Sequence, residues 1–347
     1  MSNNCEWIRK TLAHDAAVPT PFNFDFSPAA RAAVERHYNA SPIEEHLGFP
    51  IRMTGLATIK PLYANPDIYG GLLADEFGVT WTTNHIDRGV PVGPCLRRPT
   101  LSGYVFPDPA ASYRYEEIGG WCDRNEGHFR IIWVGDLWER ATFMRGMEET
   151  LTDLLLEPRF VRALLRGLAD YMLGTMATLF DRFEFEGVAV SDDYGTQRSL
   201  VMSPDSWRQF IKPLLIELYG YAKAYGRTVL HHSCGNIEPI VGDLVDIGLD
   251  ILHPVQPEAM DIIRLKREYG RALTFSGGLG TQDLLPRGSP LAVRTAVKKL
   301  KREMGEGGGY ILEPGITVQA DVPVENLVAM IDEARSGAKP LRLAHFA

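Results

Sequence analysis

The sequence lacks the features that membrane, secreted and nucleic-acid-binding proteins need. No stretch approaches the roughly 20 uninterrupted apolar residues of a membrane helix, and the first residues, MSNNCEWIRKTLAHD, lack the apolar centre of a signal peptide. There are 36 Lys and Arg residues against 44 Asp and Glu residues, so the net charge is −8. Such a balance provides no general attraction for a phosphate backbone. These absences predict a cytoplasmic protein that binds neither membranes nor nucleic acids.

Paired cysteines and nucleotide-binding loops are also missing. The four cysteines form no CxxC pair and are far apart in sequence, which is typical of reduced thiols. Neither a GxGxxG turn nor a GxxxxGK[ST] loop occurs, which disfavours a dinucleotide-binding or P-loop sheet. With 347 residues, of which 45% are hydrophobic, the chain can bury one large core. We therefore expect a single domain over residues 1–347.

Six short apolar runs alternate with longer amphipathic stretches in residues 131–347, as in consecutive βα units. The runs predicted as strands are Ile131–Gly135, Gly187–Ser191, Thr228–His232, Leu249–Leu252, Ala272–Ser276 and Gly309–Leu312. Helices are predicted between them, one in SPDSWRQFIKPLLIELYGYAKAYG and one in VENLVAMIDEARSG. This order predicts an α/β fold, a closed (β/α)₈ TIM barrel, whose closure requires about two more strands.

Residues 1–130 are predicted to form an N-terminal helical and loop extension together with the first barrel elements. DFSPAARAAVERHYN is expected to be helical, and Gly78–Thr83 is expected to be a short strand. Proline and glycine in PVGPCLRRPTLSGYVFPDPAAS predict a long loop. We expect this region to cap the barrel and to supply the missing strands.

Polar residues follow the predicted strands, and in a parallel barrel these positions line the active site. Acids, imidazoles, a thiol and amides occur there, in Asp136-Leu137-Trp138-Glu139, Asp192-Asp193-Tyr194, His231-His232-Ser233-Cys234-Gly235-Asn236, His253-Pro254-Val255-Gln256 and Glu313-Pro314-Gly315. Core packing does not account for so many polar strand ends, so we predict a polar pocket that binds a small molecule.

His232 and Cys234 are two residues apart on an extended segment, so both side chains can face one side and bind a soft divalent metal. Zinc suits an imidazole and a thiolate. The alternative is that both side chains are simply packed or hydrogen-bonded at the strand end, because a His-x-Cys sequence is short enough to arise often.

The acidic candidates are Asp192, Asp193 and Glu313, each directly after an apolar run. A carboxyl group in a pocket can act as a general acid or base. One of the two aspartates can instead cap a turn. Glu139 is expected to form an ion pair with its neighbour Arg140. The Asp75-Glu76 pair is interpreted as surface charge at a helix end.

The segments SDDYGTQ, SPDSWRQFIKP, HHSCGN, TFSGGLGTQDLL and ILEPGITVQADVPVENLVAMIDEA occur in an order that resembles the uroporphyrinogen decarboxylase superfamily. The resemblance covers roughly residues 130–335. It implies a (β/α)₈ barrel and an enzyme, either a porphyrin decarboxylase or a methyltransferase that moves methyl groups between corrinoid proteins and thiols.

The HSCG segment is similar to the methyltransferase branch, whereas the MRQAGRY segment of the haem-pathway decarboxylases is absent before Pro94. The resemblance implies zinc on His232 and Cys234, and a corrinoid carried by a separate protein. A further cysteine ligand is implied where this chain has Ile316. Three alternatives follow: Glu313 or one of the two aspartates completes the site, the site binds metal weakly, or it binds none. The first is preferred.

The leading hypothesis is therefore a zinc-assisted, cobalamin-linked methyltransferase. In it Asp192, Asp193, His232 and Glu313 are the catalytic candidates, and substrate contacts are expected from Tyr194, Asn236, Gln256 and Glu139. The alternative is a metal-independent decarboxylase or lyase, in which the acids and His232 transfer protons to a carboxylated substrate. A third possibility is a barrel that binds a ligand without turning it over.

Overall fold

The structure is a computed structural model that describes residues 4–86 and 88–337. Within these residues the strands are β1 (Ile51–Gly55), β2 (Leu72–Ala74), β3 (Thr80–Thr82), β4 (Pro91–Gly93), β5 (Phe129–Asp136), β6 (Gly187–Ser191), β7 (Thr228–His232), β8 (Ile251–Val255), β9 (Thr274–Leu279) and β10 (Tyr310–Pro314). The six predicted strands are all confirmed, as β5 to β10, with ends that differ by a few residues.

The helices of the same residues are α1 (Asn4–Leu12), α2 (Pro28–Tyr38), α3 (Ile43–Leu47), α4 (Pro66–Tyr69), α5 (Ile118–Arg124), α6 (Trp138–Arg145), α7 (Met147–Leu156), α8 (Pro158–Arg182), α9 (Pro204–Phe210), α10 (Lys212–Ala224), α11 (Val241–Asp246), α12 (Ile262–Tyr269), α13 (Leu284–Arg287), α14 (Pro290–Glu303) and α15 (Val324–Arg335). Short 3₁₀ turns occur at Ser112–Tyr115 and Glu238–Ile240. No helix in the described ranges is both long and apolar enough to cross a membrane.

Seven strands form one parallel sheet in the order β1-β5-β6-β7-β8-β9-β10. An eighth extended segment lies beside β10, where the Leu312 N–H donates to the carbonyl of Pro21 (2.9 Å) and the Leu312 carbonyl accepts from Asn23 (3.1 Å). Parallel bridges join Phe22 to Leu312 and Phe26 to Val318. The predicted α/β barrel architecture is confirmed, and β1 and this segment come from the first half of the chain, as expected.

The two ends of the sheet order share one buried core. Ile51 of β1 and Ile311 of β10 belong to the same hydrophobic cluster as Ile131 of β5 and Ile251 of β8. α1 packs against β1 and β5 at one end of the sheet order and against β10 at the other, so the sheet curls and brings its two ends toward each other. Ile8 of α1 joins this cluster. Because α1 covers the amino-terminal end of the strands, the carboxyl end is left for the site.

The helix predictions need one correction. α2 and α15 form where they were expected, but the predicted helix after Ser203 is divided into α9 and α10 at Ile211. Pro213 follows Ile211 by two residues and has no N–H to donate, so it is accommodated in the first turn of a new helix rather than in a helix interior. The Ser203 hydroxyl accepts from the Ser206 N–H (3.0 Å) and starts α9 as predicted.

An insertion between β1 and β5 carries a second, small sheet. β2, β3 and β4 pair in antiparallel order. The predicted strand Gly78–Thr83 corresponds to β3, which belongs to this small sheet and not to the barrel. Since the insertion leaves the barrel at the carboxyl end of β1, it covers that end of the strands, in agreement with the expected cap.

Candidate active site

The carboxyl ends of β6, β7, β8 and β10 bring imidazole, thiol and carboxyl groups together. Ser191 of β6 pairs with His232 of β7, and His232 pairs with His253 of β8, so these strand ends are level with one another. Glu313 lies near the end of β10. The predicted convergence of polar strand ends is therefore observed for residues of four strands.

Asp193, His232 and Cys234 form a compact cluster of nitrogen, sulfur and oxygen donors. His232 Nε2 lies 3.5 Å from Cys234 Sγ and 3.4 Å from Asp193 Oδ1. The backbone N–H of Cys234 donates to the same Asp193 oxygen at 2.7 Å. All three donor atoms lie within 4.8 Å of one another, and among residues 4–86 and 88–337 they are the one such group of three. Of the two adjacent aspartates, Asp193 is the one in the cluster.

A second histidine and Glu313 extend this cluster across the end of the barrel. His232 Nδ1 lies 3.0 Å from Nδ1 of His253, and Nε2 of His253 lies 3.0 Å from Oε2 of Glu313. Glu313 is thus placed next to His253 and outside the group of three donors. Sequence reasoning noted His253 at a strand end but gave it no role, because its partner on β10 is distant in sequence.

Asp192 points away from the cluster and into the protein. Its carboxylate accepts from the backbone N–H groups of Leu137 (3.0 and 3.1 Å) and Glu139 (2.9 Å), and from the Tyr194 hydroxyl (2.8 Å). It therefore caps the amino end of α6, where a carboxylate is favourable. Burial raises the pKa of Asp192 to about 8, although the three donors oppose this shift. The structure does not bring Asp192 to the site as a catalytic group.

Three of the predicted substrate contacts are occupied within the protein. Tyr194 is fully buried and stacks on His231 at 5.5 Å between ring centroids. The Asn236 side chain accepts from the Glu238 N–H (3.2 Å) in the following turn. Gln256 accepts from the Gly235 N–H (2.6 Å) and donates to the Gly315 carbonyl (3.3 Å). Gln256 thus holds the loop of Cys234 against the loop after β10, which places it behind the cluster rather than in open space.

Glu139 is not paired with Arg140, so the expected ion pair is wrong. Glu139 accepts from the Ser191 hydroxyl (3.0 Å). Burial raises its pKa to about 9, and the negative charges of Asp193, Asp136 and Asp192 act in the same direction. Glu139 is therefore a protonated carboxylic acid at neutral pH, close to the cluster. Neighbours along a helix point in different directions, which explains why Arg140 finds other partners.

Arg140 belongs to a buried charge network that sequence reasoning missed. Its guanidinium contacts Asp75 (2.7 Å) and Asp136 (3.3 Å), and Arg114 contacts Glu76 at 2.8 Å with both side chains about 6% exposed. Asp75 and Glu76 were expected to be surface charges, and this expectation is wrong, because both are buried in ion pairs. The spacing of four residues between Asp136 and Arg140 could have predicted their ion pair from the sequence. The ion pairs with Asp75 and Glu76 of the insertion could not be predicted in this way, because they depend on the fold.

This network lines a cavity of about 180 Å³ at the ends of β1 and β5. Its walls combine aromatic, small and charged residues, namely Gly55, Leu56, Thr58, Glu76, Phe77, Arg114, Trp133, Val134, Gly135, Asp136, Arg140 and Tyr171. The Trp133 ring also lies 6.0 Å from the ring of His232. Trp133 therefore borders both the cavity and the donor cluster.

The pKa shifts of the three groups in the cluster have different directions and causes. Burial lowers the pKa of His232, and the hydrogen bond to Asp193 opposes this. Burial raises the pKa of the Cys234 thiol, as do the charges of Asp193 and Glu139. Burial acts to raise the pKa of Asp193, but the hydrogen bond and charge of His232 and the Cys234 N–H outweigh it, so that pKa is lowered. At neutral pH the cluster holds a neutral imidazole, a thiol and a carboxylate.

The donor set fits a zinc ion. Zinc binds imidazole nitrogen, thiolate sulfur and carboxylate oxygen at about 2.0–2.3 Å in tetrahedral geometry, which places two ligand atoms about 3.3–3.8 Å apart. The separations of 3.5 Å and 3.4 Å from His232 Nε2 to the other two donors lie in this range. The thiol must lose its proton for this, as cysteine ligands do when a metal binds.

The part of the chain that carries the strand-end site matches the model of a known protein family. The family model of uroporphyrinogen decarboxylase (URO-D) matches residues 134–337, which is more than half of the chain. The chain therefore belongs to the uroporphyrinogen decarboxylase family, and the resemblance seen in the sequence is confirmed. The matched region contains every residue of the donor cluster and of its extension to Glu313.

Two curated relatives represent different reactions. The methylcobamide:CoM methyltransferase MtaA of Methanosarcina barkeri is 27% identical over 134 residues, covering 38% of this chain and 36% of that protein. The uroporphyrinogen decarboxylase of Psychromonas ingrahamii is 24% identical over 270 residues, covering 72% of each chain. Only about a third of the methyltransferase's length is therefore matched.

A solved structure confirms the fold. A methyltransferase from Methanosarcina mazei superposes with a TM-score of 0.71 and covers 98% of this chain and 100% of its own, at 16% identity. At this identity the likeness concerns the architecture. It agrees with the curled parallel sheet described above.

Proposed function

We propose that this protein is a cytoplasmic, zinc-dependent methyltransferase, acting as one domain over residues 1–347. It transfers a methyl group between a corrinoid on a separate protein and a small thiol. The observation that carries the proposal is the cluster of Asp193, His232 and Cys234. Its donor atoms all lie within 4.8 Å of one another, and His232 Nε2 is 3.4 and 3.5 Å from the other two. The partial match to a methylcobamide:CoM methyltransferase supports the same reaction class.

In this proposal His232 Nε2, Cys234 Sγ and Asp193 Oδ1 hold the metal. Asp193 thereby takes the place of the cysteine that the resemblance implied where Ile316 stands. Three protein ligands leave a fourth position for substrate, as in catalytic zinc sites. When bound, zinc supplies a Lewis acid that favours the thiolate form of a thiol substrate.

The chain's own residues have separate tasks around this position. Gln256 holds the backbone next to Cys234 through its bond to the Gly235 N–H. Glu139 is a protonated acid near the cluster and can donate a hydrogen bond there. The cavity beside Trp133 is the space we assign to the substrate, since it lies next to the cluster and its walls combine apolar surface with charged groups that can fix a polar ligand.

A second candidate function is decarboxylation of a carboxylated small molecule without a metal. One observation favours it: Glu139, whose pKa is raised to about 9, is an acid that can protonate a carbanion at neutral pH. The match to a uroporphyrinogen decarboxylase over 72% of the chain supports the same reaction class.

Metal content separates the two functions. We expect about one zinc per chain in the wild type and in a Cys95→Ala control, and loss of zinc in Cys234→Ala with the fold retained. Cys95 is a suitable control because its half-buried thiol donates to the Met144 carbonyl and is not part of the donor cluster. Zinc-loaded protein is then expected to methylate 2-mercaptoethanol from methylcobalamin, whereas Cys234→Ala is inactive. Zinc-free wild type would contradict the proposal and favour decarboxylation.

A further inference from the structure

We propose that the cavity beside Trp133 binds an uncharged oxygen of the substrate, such as a hydroxyl or an amide carbonyl, through Arg114 and Tyr171. This proposal rests on the proposed function, which assigns the cavity to the substrate, and it adds the chemical class of the group that is bound there. The observations behind it are two buried polar atoms without partners at one wall of the cavity and the balance of charge around them.

Arg114 and Tyr171 line the cavity and are only 5% and 6% exposed. Among residues 4–86 and 88–337, neither Arg114 Nε nor the Tyr171 hydroxyl has a hydrogen-bond partner. The guanidinium carbon of Arg114 lies 5.3 Å from the centre of the Tyr171 ring, so the two groups form one wall. A buried polar atom without a partner is unfavourable, and a ligand that supplies the missing partner relieves this cost.

These two atoms require a ligand atom that accepts hydrogen bonds. Arg114 Nε can only donate. Burial raises the pKa of Tyr171, so its hydroxyl keeps its proton at neutral pH and can donate as well. An ammonium group has no acceptor, and a hydrocarbon has neither donor nor acceptor, so neither satisfies this wall. An oxygen with a free lone pair does.

The surrounding charges disfavour an anionic oxygen. Arg114 is already paired with the buried carboxylate of Glu76, and Arg140 is paired with both Asp75 and Asp136. A carboxylate or sulfonate that enters the cavity would stand beside these carboxylates or displace one of them from its arginine. Both are costly for buried groups, since a charge separated from its partner is left without compensation. The ligand oxygen is therefore uncharged.

The size and the walls of the cavity suit a small uncharged group. Its volume is about 180 Å³, and an engineered apolar cavity of about 150 Å³ accommodates benzene. Phe77, Trp133 and Tyr171 contribute aromatic surface. A ring or a short chain that carries one oxygen therefore fits the space.

Four fragments of similar size test the class of ligand: benzyl alcohol, benzoate, benzylammonium and ethylbenzene. Their affinities for the full-length protein are measured by ligand-observed NMR, without any need for turnover. We expect benzyl alcohol to bind more tightly than benzoate and benzylammonium. In zinc-loaded protein, benzyl alcohol should also inhibit the methylation of 2-mercaptoethanol competitively, because the cavity belongs to the substrate.

Tyr171→Phe removes only the hydroxyl. The affinity for benzyl alcohol should fall about 3–10-fold, the share of one neutral hydrogen bond, whereas the affinity for ethylbenzene should not fall. The urea midpoint should not fall either, because this hydroxyl has no partner in the described part of the chain. A residue that only supports the fold would not separate these readouts.

Two more variants complete the test. Arg114→Lys keeps a positive charge for Glu76 but lacks Nε, and it should also weaken the binding of benzyl alcohol. Tyr38→Phe is the matched control, since the Tyr38 hydroxyl donates to Asp332 of α15 (3.0 Å) and Tyr38 does not line the cavity. It should leave the affinity for every fragment unchanged.

The outcomes distinguish this proposal from the proposed function. If Tyr171→Phe weakens the binding of benzyl alcohol but the wild type methylates no thiol, the function is refuted and the class of ligand stands. If the wild type methylates 2-mercaptoethanol but binds benzoate as tightly as benzyl alcohol, the class of ligand is wrong. Equal affinity for benzyl alcohol in wild type, Tyr171→Phe and Arg114→Lys would also overturn the proposal. So would a cavity that binds none of the fragments, or benzyl alcohol that does not compete with 2-mercaptoethanol.

Discussion

Two adjacent aspartates provide a sharp test of the structure, because they face opposite environments. Asp192 is fully buried and accepts hydrogen bonds from three donors, whereas the Asp193 side chain is 40% exposed and lies in the donor cluster. We compare Asp192→Ala with Asp193→Ala. The first should lose stability and the second should lose metal.

The expected loss for Asp192→Ala follows from its partners. The substitution leaves the N–H groups of Leu137 and Glu139 and the hydroxyl of Tyr194 without their acceptor. Each buried donor without a partner costs about 1–3 kcal/mol. A water molecule in the space vacated by the carboxylate offsets part of this, so we expect the free energy of unfolding to fall by about 3–6 kcal/mol.

Asp193→Ala is expected to change the free energy of unfolding by less than about 1 kcal/mol, since water can reach the Cys234 N–H that loses its acceptor. It should abolish stoichiometric zinc binding. Urea unfolding followed by circular dichroism measures the first quantity, and elemental analysis measures the second. The assignment would be refuted if Asp192→Ala retained wild-type stability but lost activity, because Asp192 would then act in the chemistry and not as a helix cap.

Three further predictions concern single positions. Ile316→Cys should raise zinc affinity about tenfold by adding a thiolate ligand; unchanged affinity in chelator competition would show that this segment does not approach the metal. Glu139→Gln should weaken the pH dependence of the free energy of unfolding. Because the pKa of Glu139 is raised, the folded wild type retains a proton that the unfolded chain releases. The free energy of unfolding of the wild type therefore falls as the pH rises from about 5 to 9. Parallel urea midpoints for variant and wild type over this range would contradict the assignment. Arg114→Met should reduce the free energy of unfolding by about 3–5 kcal/mol, because it leaves Glu76 buried without its partner. The double variant Arg114→Met/Glu76→Leu should recover most of this loss. A double variant as unstable as the single one would argue against this cause.

The barrel could be predicted from the sequence because its strands are buried on both faces. Ala189 and Val190 on β6 and Leu230 on β7, for example, are almost fully buried. Such strands appear as continuous apolar runs, and the helices between them have their own start and stop signals. The insertion after β1 was less predictable, since β2, β3 and β4 are each three residues long, which is too short to show a periodic pattern.

The members of the donor cluster were named from the sequence, but their roles were not separable there. Asp192 and Asp193 are neighbours in a Ser-Asp-Asp-Tyr segment, and nothing in that segment tells which one is buried. Alternation along the chain predicted opposite directions for them, and the structure shows which direction each takes. The same applies to Glu139 and Arg140, whose partners, Ser191 and Asp75, come from other elements.

The parallel α/β architecture, the family and the set of polar strand ends could therefore be predicted from the amino-acid sequence, because these depend on local periodicity and on short motifs. Which of those polar groups meet depends on the folded barrel. His232 contacts Asp193 and His253, and His253 in turn contacts Glu313. These contacts join strand ends that are about 20 to 60 residues apart along the chain. Such contacts depend on strand register and barrel closure, and these are properties of the whole core and not of any segment.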